Sequence, residues 1–214
     1  SSGGVAGIWA EENTRDSLFR AIENKETFAT SGPRMKVRFF GSFDYAETLL
    51  DSSDWVREAY AAGVPMGGDL SASGNDAPRF AIFAAKEADG ANLDRIQIIK
   101  GWVKDGETFE KIYNVAVSDG REVDADGNVA SVGSTVDPAT ATYTNDIGDP
   151  QLAVVWTDPD FDPQAHAFYY ARVLQIPTPR WSTYDAVTLG IPPRDDLPVS
   201  IQERAWSSPI WYTP

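Results

Sequence analysis

GIWAEENTRDSLFRAIENKETFATSGPRMKVRFF, residues 7–40, passes from a helical pattern to a strand pattern within one short stretch. Asn13 suits a helix N-cap, and Asp16 three residues later can return a hydrogen bond in capping-box fashion. Leu18, Phe19, Ala21 and Ile22 fall on one side of a helical wheel, with Arg15, Arg20, Glu23 and Lys25 on the other. The pattern stops near Asn24. Thr27, Phe28 and Thr30 favour extended backbone, and Gly32-Pro33 turns the chain into the next strand. A helix of about three turns is marginal in water alone, so its apolar stripe needs a partner surface.

Outward from this opening, strands dominate. Met35–Phe40 alternates Met, Val and Phe with Lys and Arg, the period-two mark of a half-buried strand. A second helix is expected from Ser53, its cap, to Ala62, with Trp55, Val56, Ala59 and Tyr60 at helical spacing and Gly63 as the stop. Arg79–Ala88 reads as a strand, and Arg95–Lys104 with Glu107–Ser118 reads as a hairpin across Asp105-Gly106. Residues 119–149, rich in Asp, Gly, Asn, Ser and Thr, predict a long surface excursion. Gln151–Trp156, Ala165–Gln175 and Ser200–Trp206 complete the strands. The pattern predicts a mainly β fold, an antiparallel β-sandwich with one or two short helices.

Composition bounds the function. The chain has 214 residues, 42% hydrophobic and 12% aromatic, enough for one sizeable core and too apolar for wholesale disorder. A formal charge of −14 argues against nucleic acid or an anionic membrane as partner and leaves cation binding open. There is no cysteine, which suits a cytosolic protein or a secreted one that needs no disulfides. No run of about 18 apolar residues is present to span a membrane. The first residue is Ser1 and no signal-like segment precedes the helix, which points to a processed or cut start.

Several stretches together resemble the bacterial family called domain of unknown function 3604, and more loosely its carbamate-hydrolase-like relatives. They are Gly7–Arg15, Lys25–Arg34, Val37–Gly41, Ala167–Val173, Pro179–Ser182 and Glu203–Tyr212, in one order along essentially the whole chain. The resemblance implies a PHP-type (polymerase and histidinol phosphatase) metallohydrolase barrel followed by a β-sandwich. Residues 1–33 would then be the terminal segment and last helix of that barrel, and residues 34–214 the sandwich. It further implies divalent metal (Zn, Mn or Fe) held upstream by a His-x-His pair with other ligands, and export to the periplasm or beyond. This chain carries one histidine, His166, which cannot rebuild such a set. The expectation is an accessory sandwich, not catalytic by itself, whose partner is the upstream barrel of the same protein.

The candidate chemistry divides between functional and structural accounts. Glu11 and Glu12, with Arg34 nearby in sequence, are candidates for the barrel mouth, though acidic residues also favour a helix start for its dipole alone. Thr30-Ser31-Gly32-Pro33 offers donors for an anion, or simply a corner. Asp158, Asp160 and Asp162 alternate at a spacing that suits Ca²⁺, as do Asp124, Asp126 and Asn128 in a second loop; neither matches an EF-hand, and Asp and Pro also make ordinary turns. His166 stands alone at a strand start. Trp181, Trp206 and Trp211 are candidates for an aromatic platform that stacks on sugar rings, although tryptophans also fill sandwich cores and interfaces. No nucleophile elbow or phosphate-binding loop occurs. Three roles follow: accessory domain of a hydrolase, carbohydrate- or ligand-binding module, or purely structural module.

Overall fold

The computed structural model describes residues 3–71 and 76–214. The chain begins with β1 (Val5–Ile8), α1 (Arg15–Glu23), β2 (Thr27–Thr30), β3 (Lys36–Ser42), α2 (Trp55–Ala62), β4 (Val64–Pro65) and β5 (Asp69–Ser71). Longer strands follow: β6 (Arg79–Ala85), β7 (Leu93–Lys104), β8 (Glu107–Val117), β9 (Gln151–Thr157) and β10 (Ala167–Gln175). The end of the chain supplies β11 (Thr178–Pro179), α3 (Trp181–Leu189), β12 (Ser200–Ile201), β13 (Arg204–Ser207) and β14 (Ile210–Thr213).

These strands form two facing sheets, the sandwich that the alternation predicts. The large sheet has eight strands in the order β1-β2-β13-β10-β14-β5, with β7 and then β8 added on the far side of β10. The small sheet has four, β4-β3-β6-β9, and β11 with β12 makes a separate ribbon. Pairing is antiparallel throughout except for β14 with β5. Val37 and Phe39 of β3 and Phe80 and Ile82 of β6 point inward and meet Ile96, Ile98, Tyr169 and Val173 of the large sheet. Phe80 sits at the centre, its ring 5.5 Å from Phe39 and 4.5 Å from Tyr169. On the opposite face of the small sheet, α2 covers Phe40 and Ala81 with Ala59, Trp55 and Leu49 around them.

The β7–β8 hairpin turns as expected. Asp105 and Gly106 both take positive φ, 53° and 81°, as a two-residue turn of this hand requires. The 119–149 excursion is pinned to the sheet by polar contacts. Arg121 reaches the Asp94 carboxylate at 2.6 Å, and Asn92 donates to the carbonyls of Ile147 and Gly148.

Elsewhere the structure departs from the sequence pattern. The α1 cap is Thr14, whose hydroxyl accepts from the Ser17 amide, and not Asn13. The helix turns its small residues, Ser17 and Ala21, inward and leaves Phe19 64% and Ile22 53% exposed. Only half of the apolar stripe, Phe19 and Ile22, thus faces solvent, while Ala21 is buried and Leu18 half-buried. Asp54, not Ser53, precedes α2, and Gly63 follows its last turn in extended backbone, where a Cβ would stand 2.3 Å from Tyr45 Oη. Strands β1 and β14 and helix α3 escape the periodicity reading. The large sheet also runs across residue 33: β2 pairs with β13, and Phe28 enters the main core.

Replacing Phe80 with Ala removes a fully buried ring from between two aromatic neighbours. Urea unfolding is expected to show a loss of about 3–5 kcal/mol with an unchanged m-value.

Candidate functional site

A polar cleft of about 470 Å³ opens where α1, α2 and β3 approach one another. The chain leaving β1 carries Trp9, whose indole Nε1 donates to the Val37 carbonyl at 2.7 Å and so fixes the ring against β3. Arg38, outward-facing on β3, lies over that ring with its guanidinium carbon 3.4 Å from the centroid. Arg38 Nη1 donates to Tyr60 Oη at 3.3 Å, and Tyr60 donates to Glu26 Oε2 at 2.6 Å. Glu11 and Arg20 complete the rim.

Burial dominates the electrostatics here. Desolvation lowers the Arg38 pKa from its ordinary value, with Tyr60 and then Glu26 opposing that effect. Desolvation likewise pushes the Tyr60 phenol up to about 12, assisted by its hydrogen bond to Glu26. A phenol held protonated and committed to a carboxylate is neither a nucleophile nor an acid at neutral pH. The cleft thus presents a guanidinium held flat by an indole, flanked by a second arginine and two carboxylates.

Of the three residues expected at a barrel mouth, only Glu11 lines this cleft. Glu12 is exposed, its amide donating to Ser17 Oγ at 3.2 Å. Arg34 lies at the opposite end of the β1–β2 pair, its amide donating to Glu87 Oε2 at 3.2 Å. The trio is not gathered. The Thr30–Pro33 corner uses its hydroxyls internally: Ser31 Oγ donates to Glu203, and Thr30 Oγ1 accepts from the Gly32 amide.

The aspartates of the 158–162 loop meet lysines. Lys100 Nζ occupies the centre of the loop, donating to Asp158 Oδ2 at 2.6 Å and to the Asp160 carbonyl at 2.7 Å, and Tyr169 Oη adds a bond to Asp158 at 2.8 Å. Asp160 pairs with Lys111 and Tyr113, and Asp162 with Lys104. Hydrogen bonds from Lys111 and then Tyr113 hold the Asp160 carboxyl below its usual range. All three aspartate carboxylates of this loop are thus engaged by lysine ammonium groups. In the second loop, Asp124 Oδ1 accepts the amides of Asp126 and Asn128 and shapes a turn. Among the described residues no group of three or more His, Cys, Asp or Glu is arranged to hold a metal ion.

The three tryptophans are not one platform. Trp206 pairs across the sheet with Arg172, and Trp211 with Phe168, so both lie on the outer face of the large sheet at separate positions along β10. Trp181 belongs to α3, where it is 42% exposed. His166 is exposed beside β10 and borders a groove on the same outer face as Trp211.

Sequence reasoning missed two features. The Arg38–Trp9–Tyr60 cleft joins residues 51 positions apart at most, and no local pattern signals that. The Lys100–Asp158 pair did leave a signal: within Ile98-Ile99-Lys100-Gly101-Trp102, lysine occupies an inward position of an otherwise apolar run.

The family described as "Protein of unknown function (DUF3604)" matches residues 1–214, and the chain belongs to it. No curated protein and no solved structure matches the chain.

Two predictions follow from these side chains. Asp158→Asn leaves Lys100 charged, unpaired and almost wholly buried. Denaturant titration should show a loss of about 3–5 kcal/mol, part of which Lys100→Met in the same chain restores. In alkali, the folded state holds the Tyr60 proton to about pH 12 whereas an ordinary tyrosine phenol releases it at 10.0. The unfolded state then binds fewer protons across that window, so this contribution is complete below pH 10 and stability falls as pH rises to 12. Unfolding midpoints measured from pH 9 upward should fall less steeply in Tyr60→Phe.

Proposed function

We propose that this chain is the accessory β-sandwich of a metal-dependent hydrolase and that α1 docks it onto a catalytic barrel lying upstream in the same protein. The observation that carries the reading is the exposed stripe of α1. Phe19 and Ile22 stand 64% and 53% exposed on a helix whose small residues are already packed inward. Side chains of that size on one turn are a surface awaiting a partner.

Two further points support it. The stretches Gly7–Arg15 and Lys25–Arg34 resemble the segment that closes a PHP-type barrel, which favours a neighbour beside α1. The polar cleft next to the helix also offers orientation and charge but no activated nucleophile. In the intact protein, a divalent metal (Zn, Mn or Fe) on upstream ligands would supply activated water for hydrolysis. The sandwich, whose strands β1 and β2 flank α1, would present that helix to the barrel and contribute Arg38 and Glu11 near the junction. The resemblance carries with it a periplasmic or secreted location.

The test is the intact mass and metal content of the protein purified from its native source. A longer polypeptide carrying equivalents of Zn, Mn or Fe is expected; a lone, metal-free species of 23.4 kDa overturns the reading. Phe19→Ser with Ile22→Ser adds a second readout. It should change the stability of the isolated 214-residue chain by no more than about 0.5 kcal/mol, while loosening the domain contact and lowering hydrolysis in the longer protein.

A further inference from the structure

The outer face of the large sheet holds a saddle of about 550 Å³ over β8, β7, β10 and β14. Registered pairs define its first row: Glu110 opposite Gly101, Gly101 opposite Phe168, and Phe168 opposite Trp211. Thr108, Val103, His166 and Thr213 form the second row beside it. Gly101 makes the concavity. A Cβ there would stand 2.4 Å from the Phe168 ring, so the ring lies flat across β7 and becomes the floor. Trp211, 45% exposed, rises beside it with ring centroids 5.3 Å apart.

We infer that this saddle binds a neutral oligosaccharide, with Phe168 and Trp211 stacking on sugar rings and Glu110, His166, Thr108 and Thr213 bonding their hydroxyls. Both halves of the lining argue for that class. An apolar ligand would cover a carboxylate, an imidazole and two hydroxyls without giving them partners, which costs free energy. A sugar presents C–H faces to the rings and hydroxyls to the rim. Anionic glycans, nucleotides and phosphates are disfavoured because no lysine or arginine lines the saddle, one carboxylate does, and the chain carries −14. Four strands at the usual spacing span about 14 Å, longer than one sugar ring, so a short chain fits better than a monosaccharide.

Fluorescence and calorimetric titration of the purified chain with cellohexaose, xylohexaose and mannohexaose, alongside an anionic uronic-acid hexamer, tests this. Saturable binding of at least one neutral hexasaccharide and none of the anionic one is expected. Trp211→Ala should weaken binding at least tenfold while leaving the thermal midpoint unchanged. Gly101→Val should abolish it by filling the saddle, and Trp181→Ala, on α3, should bind as the unsubstituted chain does. Absence of saturable binding to all three neutral sugars, binding indifferent to Trp211→Ala, or preference for the anionic hexamer overturns the inference. So does a Trp211→Ala chain that binds sugar normally but no longer associates with its upstream domain, because the face is then an interdomain contact.

Discussion

The buried pair between Lys100 and Asp158 sets the terms on which the two sheets meet. Lys100 belongs to β7 of the large sheet, while Asp158 follows directly on β9 of the small one, and their side chains are 4% and 0% exposed. Tyr169, from β10, completes the contact at 2.8 Å. Apolar packing between the sheets is non-directional and tolerates sliding; a desolvated ion pair with a third hydrogen bond does not. The pair therefore specifies how β9 lies against β7 and β10. Burial also drives the Tyr169 phenol strongly upward, with the Asp158 charge second, so the hydroxyl stays a donor at every physiological pH. The core residues around Phe80 supply the stabilisation, and the pair selects one arrangement of them.

Much of the fold was legible wherever one local rule sufficed. The alternation at residues 35–40 and the Asp105-Gly106 turn named their strands because period and turn chemistry are properties of neighbouring residues. Helix α3 escaped because apolar residues lie on all sides of it and three β-branched residues, Thr183, Val187 and Thr188, weaken its propensity. Strand β1, only four residues beside glycines, gains its structure from pairing with β2. For α1, the stripe was legible, but which of its residues the domain buries was not. Amphipathicity tells that a face is apolar; which face a domain buries depends on what stands beside it, and here Ser17 and Ala21 fit the space available.

The candidate sites divide along the same line. Alternating aspartates are visible in any sequence, but the lysines that answer them come from β7 and β8, up to 60 residues away. Spacing proposes a ligand set, and only the three-dimensional neighbours decide whether a metal or an ammonium completes it. The tryptophans show the converse. Trp206 and Trp211 share a sheet face because their strands both pair with β10, whereas Trp181 sits on a helix. Composition could count the rings and could not arrange them.

The two sheets are finished differently on their outer faces. On the small sheet, α2 closes over Phe40 and Ala81, as ordinary burial requires. On the large sheet, Phe168 and Trp211 stand on the open side. The pairing of Gly101 with Phe168 has a twin in Gly7 with Phe28, where a Cβ would come within 2.1 Å of the ring. In both, an aromatic ring covers a strand glycine and offsets part of the roughly 1 kcal/mol that glycine costs within a strand. In the twin, the ring is 8% exposed and belongs to the core, so coverage explains it completely. Coverage alone does not explain why the outward ring is joined by a half-exposed tryptophan, a histidine and a carboxylate. Solubility would be served better by a polar residue in place of the half-exposed Trp211. What the outward arrangement adds is a flat aromatic floor with hydrogen-bonding groups along its edge, the geometry on which the proposed sugar site rests.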